Sequence, residues 1–156
     1  MPEEIMTKDP QARLSNSARS ALHDVGFDSA EARAGTSILV DDRMEIAEPH
    51  VEGIEIMPLS EALRTYDFVQ DLMFGLVGPE ANPDIAAVAG QRHDPVGHFI
   101  WVKPGATLTR PVQSFTLMET PQKRQFNHDI TLIDRGANVT MISGAAVPEQ
   151  VHTGRH

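Results

Sequence analysis

Histidines are the residues of this chain with the widest chemical repertoire, because histidine transfers protons near neutral pH and also ligates transition metals. Five of the seven lie in the second half or just before it: His93, His98, His128, His152 and His156. His152 and His156 have the spacing of a metal pair on a helix, but Thr153 and Gly154 between them disfavour a helix. On a strand the two rings would share a face and lie too far apart for one ion. We therefore expect surface or capping histidines and no metal site.

The metal-binding cupin arrangement is also disfavoured. A cupin builds its metal site from short β-strands and requires two histidines separated by a single residue. The chain contains no His-x-His, and His93 and His98 are five positions apart. The histidines therefore lack the spacing of that class of site.

The sequence lacks the usual residue patterns of nucleophilic and acid–base catalysis. There is no cysteine and no Gly-x-Ser-x-Gly, and Ser114 and Ser143 fall within strand patterns without an evident base. Asp129 and Asp134 lie on one predicted strand at an odd separation, so they should point to opposite faces. No Gly-x-x-x-x-Gly-Lys phosphate loop is present, and hydrolysis of ATP is not expected. The sequence therefore predicts a protein that is not an enzyme, with no catalytic, cofactor-binding or metal-binding residues.

Composition limits the partners and the compartment. A chain of 156 residues suffices for one domain with a small appendage, and the absence of cysteine excludes disulfides and Cys-ligated metal or cluster sites. Residues 1–95 carry seven Lys/Arg against eighteen Asp/Glu, whereas residues 96–156 carry six against four. This acidic balance disfavours nucleic acid and anionic membrane as partners. The acidic N-terminus does not resemble a signal peptide, and no stretch has the length of a membrane helix, so we expect a cytoplasmic protein.

Two segments of the second half repeat one pattern. Residues 99–109 read FIWVKPGATLT and residues 130–140 read ITLIDRGANVT. Each is an apolar run, a glycine corner and a second β-rich run, and the glycines Gly105 and Gly136 are thirty-one positions apart. A strand unit repeated at such a period is typical of stacked coils, although two similar hairpins of a β-sandwich would give the same pattern. We expect both glycines to adopt positive φ or to lie in close backbone contact.

An ordered set of segments resembles the SufB/SufD family, the paired scaffold subunits of SUF iron–sulfur cluster assembly. The similarity extends from about residue 33 to residue 156 and is of the SufD-like type, as in a short archaeal-type member or an N-terminal fragment. The matching segments are residues 51–63 (VEGIEIMPLSEAL), 97–105 (GHFIWVKPG), 110–115 (RPVQSF), 125–137 (QFNHDITLIDRGA) and 139–145 (VTMISGA).

The resemblance implies a fold, a function and partners. The implied fold is a right-handed parallel β-helix, of which this chain would contain the opening coils. The implied function is that of a scaffold or interaction subunit, with a SufB-type subunit and the SufC ATPase as partners. The ATPase-docking region of the family is expected to lie outside these residues. SufB-type chains carry a cysteine where this chain has Ala145, which makes it SufD-like or a paralogue without that ligand.

The first half shows a different pattern. Asp9 and Pro10 predict the start of a helix that Gly26 ends, residues 29–34 a short helix, and residues 37–40 and 43–47 a hairpin. Residues 53–57 predict a strand, and Ser60 and Asp67 are predicted caps of two further helices. The later strands are predicted at 99–102, 107–108, 112–119, 126–133 and 139–142.

Together these patterns predict a mainly β fold with an α-rich N-terminal part. We expect a small α/β domain at residues 1–77, a turn-rich linker at 78–95 and the start of a β-helix core at 96–156. No charged residue lies between Val139 and Val147, so the last strand predicts an unprotected sheet edge and a homodimer formed through it. The alternative is a small β-fold metal-binding protein or enzyme that uses the histidines of the C-terminal half.

Overall fold

The structure is a computed structural model that describes residues 13–76, 78–84, 86, 95–121 and 127–148. The chain is a mixed α/β protein. Its helices are α1 (Asn16–Asp24), α2 (Leu59–Thr65) and α3 (Asp67–Leu72), with single 3₁₀ turns at Ala30–Ala32 and Pro79–Ala81. Its strands are β1 (Gly35–Val40), β2 (Arg43–Pro49), β3 (Ile54–Pro58), β4 (His98–Val102), β5 (Val112–Leu117), β6 (Ile130–Ile133) and β7 (Met141–Ala146).

Two sheets carry these strands. The first has the order β2-β1-β5-β7, and the second has the order β3-β4-β6. The pairs β1–β5, β5–β7 and β4–β6 are parallel, whereas β1–β2 and β3–β4 are antiparallel. Strands from residues 35–58 therefore hydrogen-bond to strands after residue 97 in both sheets, and the expected division at residues 78–95 stays a prediction.

The chain alternates between the sheets in its second half. It passes from β4 to β5, then to β6 beside β4, then to β7 beside β5. Phe99 pairs with Ile130 and Thr107 with Asn138, which is an offset of thirty-one residues, and Val112 pairs with Met141 at an offset of twenty-nine. The offset is smaller at Val112 because Thr107 is two positions farther from the start of β5 than Asn138 is from the start of β7.

Three apolar clusters hold the layers together. One lies between α1 and the first sheet and includes Leu22, Ile38 and Phe115. A second lies between the two sheets, where Ile56, Ile100 and Val112 meet. The third packs α2 and α3 on the outer face of the second sheet around Phe99. The side chains of β4 thus alternate between the interior, at His98, Ile100 and Val102, and the helix-covered face, at Phe99 and Trp101.

Helix α1 begins later than its sequence pattern predicts. Asp9 and Pro10 lie outside the described residues, and the helix starts at Asn16 with Ser15 as its cap, whose Oγ accepts a hydrogen bond from the Ala18 amide at 3.0 Å. The predicted end at Gly26 is confirmed. Gly26 has φ +108°, and the Phe27 amide donates to the Leu22 carbonyl at 2.9 Å, which satisfies an end carbonyl of the helix.

The other predicted caps are wrong. Ser60 lies inside the first turn of α2, which Pro58 precedes, and Tyr66 is the residue before α3, with no side-chain cap on either helix. The segment 29–34 forms only the 3₁₀ turn Ala30–Ala32. The hairpin at 37–47 and the strand at 53–57 are confirmed as β1–β2 and β3.

The later strands differ at their ends. β5 ends at Leu117 rather than at 119, residues 127–129 are not part of β6, and residues 107–108 contribute one isolated bridge. β7 runs from 141 to 146 rather than from 139 to 142, and the residue before it, Thr140, accepts a hydrogen bond from the Val112 amide.

Candidate functional site

His98 lies between the two sheets and is 2% exposed. Its Nδ1 is 2.5 Å from the Ser37 hydroxyl of β1, and its Nε2 is 3.2 Å from the Thr116 hydroxyl of β5. The backbone amide of His98 donates to Asp129 Oδ1 at 2.9 Å. Burial lowers the pKa of His98, against the nearby charge of Asp129, which raises it. The ring is therefore a neutral, hydrogen-bonded part of the core.

Ser37 and His98 have the residue types of a nucleophile and its base, but their side chains are not accessible to a substrate. Ser37 is 0% exposed, so no substrate reaches its hydroxyl. The second ring nitrogen faces Thr116 rather than a carboxylate that could stabilise an imidazolium. The sequence does not predict this pair, because sixty-one residues separate its members.

A second network of buried hydrogen bonds connects the N-terminal part of the chain to the first sheet. Gln113 is 0% exposed; its Oε1 accepts from the Asp28 amide at 3.0 Å, and its Nε2 donates to the Thr36 hydroxyl at 2.9 Å. The Thr36 hydroxyl is in turn 2.9 Å from His50 Nε2. Burial lowers the pKa of His50, an effect that Glu48 opposes and Arg110 reinforces. These groups satisfy one another, which is the usual role of buried polar side chains.

The remaining candidate residues are dispersed. His128 contacts the Phe74 ring, with centroids 4.6 Å apart, and burial lowers the pKa of His128 against the charge of Asp129. Asp129 precedes β6 and Asp134 follows it, and Asp134 accepts a hydrogen bond from the Trp101 indole. The described residues contain no group of three His, Cys, Asp or Glu side chains that could hold a metal ion. His93, His152 and His156 lie outside the described residues.

Ser114, Ser143 and Ala145 share the inner side of the first sheet. Ser143 pairs with Ser114, and Ala145 pairs with Thr116, the residue that contacts His98. Ser143 and Ala145 are exposed, whereas Thr116 is 9% exposed. Ala145 therefore lies exposed on the edge strand β7, in register with the polar core around His98.

β6 and β7 are edge strands of their sheets. Each pairs with one neighbour, β4 or β5, and has no second neighbouring strand within the part of the chain that is described. Neither strand contains a charged residue. The opposite edge of the first sheet differs, because β2 contains Arg43, Glu45, Glu48 and Pro49, residue types that block further strand pairing. The two strands β6 and β7 are named the terminal edge below, and they are the candidate assembly surface.

Comparison with known proteins identifies relatives along most of the chain. A protein from Methanothermobacter thermautotrophicus strain Delta H, named iron–sulfur cluster assembly SufBD family protein, is 31% identical over 135 residues, which are 85% of this chain and 33% of that protein. One of the same name from Archaeoglobus fulgidus is 25% identical over 127 residues, 81% of this chain and 34% of that protein. The chain is homologous to the SufBD family. A SufBD family protein named ycf24 from Porphyra purpurea is 27% identical over 139 residues, 89% of this chain and 26% of that protein.

These relatives confirm the resemblance found in the sequence. The chain spans about a third of the length of the first two SufBD relatives. No family model matches the sequence. Within the described residues, none of the helices has the length and apolar character needed to cross a membrane.

Proposed function

We propose that the chain is a non-enzymatic, SufD-like scaffold subunit of iron–sulfur cluster assembly that acts in the cytoplasm. The observation that carries the proposal is the similarity to SufBD proteins over 81% to 85% of the chain. A scaffold holds its partners through surfaces rather than through a catalytic centre. The hydrogen-bonded, buried state of Ser37 and His98 supports such a role.

The proposed architecture of the scaffold is the opening of a right-handed parallel β-helix. Support comes from the second half, where β6 stacks on β4 and β7 on β5 in parallel register. The corners stack as well, since the Gly105 amide donates to the Arg135 carbonyl at 2.8 Å and the Asn138 amide to the Ala106 carbonyl at 2.8 Å. Successive coils joined by such hydrogen bonds are how a solenoid extends along one axis.

The SufD-like assignment depends on Ala145 and on the lack of cysteine. Iron–sulfur clusters are held by cysteine thiolates, and alanine offers no ligand atom. Cluster ligands would therefore come from a SufB-type subunit, with the SufC ATPase as the third partner. We further propose that the terminal edge joins two copies of the chain, because β6 and β7 carry no charge and each pairs with a single strand among the described residues.

The test is affinity purification of the tagged 156-residue chain from cells of its source, with mass spectrometry of the bound proteins and metal analysis of the eluate. The proposal predicts a SufB-type subunit among the bound proteins and no stoichiometric metal on the chain. Stoichiometric, tightly bound metal without SUF proteins would instead support a metal-binding protein or enzyme that uses the histidines of the C-terminal half. Metal analysis of the His98→Gln variant then shows whether that histidine contributes.

A further inference from the structure

Three aromatic rings meet on the outer face of the second sheet. The chain has one Trp, one Tyr and six Phe, and its single Trp101 and single Tyr66 lie together with Phe68. The ring centroids are 5.4 Å apart for Tyr66–Trp101, 5.1 Å for Phe68–Trp101 and 5.4 Å for Tyr66–Phe68. We name these three residues the aromatic patch.

The fold places the patch at the rim of a covered surface. Helices α2 and α3 pack over Phe99 and Ile130 through Leu59, Ala62 and Val69, which are fully buried. Trp101 follows Phe99 by two positions on β4 and faces the same side, at the margin of the helices. The patch is therefore continuous with the core on one side, and its Phe68 ring is exposed on the other.

Polar contacts fix the rings in place. Lys103 Nζ lies 3.3 Å from the centroid of the Trp101 ring and 3.1 Å from Glu55 Oε1. The Tyr66 hydroxyl donates to Glu55 Oε2, and the Trp101 Nε1–H donates to Asp134 Oδ2 at 3.0 Å. Burial raises the pKa of Glu55, but the hydrogen bonds from Tyr66 and Lys103 outweigh it and lower the pKa overall. Rigid aromatic side chains lose little conformational entropy on binding, so a pre-ordered patch favours association.

Two exposed carboxylates lie beside the patch. Phe68 is 37% exposed, and Asp67 and Asp71 are exposed on the same helix. Residues three positions apart are neighbours on a helix, which places Asp71 beside Phe68. Neither Asp67 nor Asp71 forms an ion pair with another described residue, whereas Glu55 is paired with Lys103. An incoming cation would therefore meet unpaired carboxylates and an open ring.

We infer that the aromatic patch is a docking site for a partner protein that presents arginine side chains. Arginine fits this combination because its guanidinium stacks on an aromatic face and also binds a carboxylate through two N–H groups. Lys103 over Trp101 shows that this cluster already accommodates a cation on a ring face. The inference is independent of the proposed dimer, since it concerns the outer face of the second sheet and not strand pairing at the terminal edge.

Fluorescence of the single tryptophan reports binding at the patch directly. The full chain is titrated with a blocked hexa-arginine peptide, and with hexa-lysine and hexa-citrulline peptides of the same length. We expect a saturable change in Trp101 emission with arginine, a weaker one with lysine and none with citrulline. Phe68→Ala and Asp71→Asn should each weaken the arginine affinity by at least about threefold, the scale of one cation–π or one exposed charge contact.

The control is Asp24→Asn, an exposed carboxylate at the end of α1, which packs on the other sheet. It removes one charge, as Asp71→Asn does, and should leave the affinity unchanged. The inference is overturned if the arginine affinity is the same in Phe68→Ala, Asp71→Asn and the parent, or if Asp24→Asn weakens it equally. It is also overturned if the emission changes on dilution of the protein alone, which would assign the patch to a contact between copies.

Discussion

Gly105 and Gly136 adopt the same left-handed backbone conformation, with φ of +72° and +71°, and lie one above the other at successive corners. A Cβ built on Gly136 would lie 3.8 Å from the Gly105 Cα, and the Gly105 amide donates to the Arg135 carbonyl at 2.8 Å. The Ala106 and Ala137 amides each donate back to the residue three positions earlier, at 3.1 Å and 3.0 Å. The corners are thus tight turns with glycine at the position of positive φ. This confirms the prediction of positive φ made from the repeat.

Substitution of Gly105 should be costly through its backbone conformation alone, because a Cβ there would meet nothing within 4 Å. We expect Gly105→Val to lower the free energy of unfolding by at least ~1 kcal/mol. Gly105→Asn should cost less, since asparagine tolerates the left-handed region. Urea unfolding of the two variants and of Gly136→Val measures this. If valine and asparagine variants are both as stable as the parent, the turn does not require the glycine.

Acid should destabilise the fold before its carboxylates are protonated. Burial holds the pKa of His98 below its ordinary value of 6.5, and the same direction applies to His50 and His128. The unfolded chain therefore binds protons first as the pH falls. Stability should be complete above about pH 7 and should decline as the pH falls through about 6.5.

Unfolding midpoints at about pH 7.5 and about pH 5.5 check this prediction. His98→Gln should be less stable at the higher pH, because it loses its contacts with Ser37 and Thr116, but its decline between the two values should be shallower. His23→Gln, at an exposed position on α1, serves as the control. An equal decline in the parent and in His98→Gln would mean that His98 does not carry the acid sensitivity.

The terminal edge should join two copies of the chain. Met141 and Ile142 are poor sites for a test because both pack against the core clusters. Ser143 and Ala145 are exposed on the same strand, so Ser143→Lys and Ala145→Lys add charge at the edge without entering those clusters. Light scattering at low micromolar concentration should show a dimer of the parent that both variants weaken. A monomeric parent, or a dimer unaffected by either lysine, would show that the edge is not the interface.

The sequence predicts the local features of the fold better than its distant contacts. The sequence predicts the repeat, the glycine corners and the β1–β2 hairpin because each depends on residues that are close together in the chain. The parallel pairing of β1 with β5 is not predicted, since it joins segments separated by the helices α2 and α3. The predicted caps are wrong for another reason: Ser60 and Asp67 have the residue types of caps, but Pro58 and Tyr66 occupy the cap positions.

The candidate sites show the same division. The sequence identifies His98 as chemically interesting, but its environment depends on Ser37 and Thr116, which are sixty-one and eighteen residues away. The aromatic patch likewise combines Tyr66 and Phe68 with Trp101 from another element. Side chains converge in this way through packing of the sheets and helices, which periodicity within one segment does not describe.

Ala145→Cys tests whether one cysteine at this position, where the resemblance implies a cysteine in SufB-type chains, suffices for cluster binding. We expect the variant to acquire no stable cluster, because the chain offers no other cysteine and the described residues hold no group of metal ligands. Iron and sulfide content after anaerobic reconstitution, with Ser143→Cys as the matched control on the same strand, is the measurement. A stable cluster on the Ala145→Cys variant alone would mean that further ligands are already in place.

Anaerobic iron–sulfur reconstitution of the unmodified chain, alone and together with a SufB-type subunit, is the decisive experiment for the proposed scaffold role. We expect no charge-transfer absorbance from the chain alone, because it has no cysteine, and a cluster on the complex that co-elutes with both subunits. A stable cluster or stoichiometric tightly bound metal on the isolated chain, with no complex formed, would show that the chain is not a scaffold of this kind.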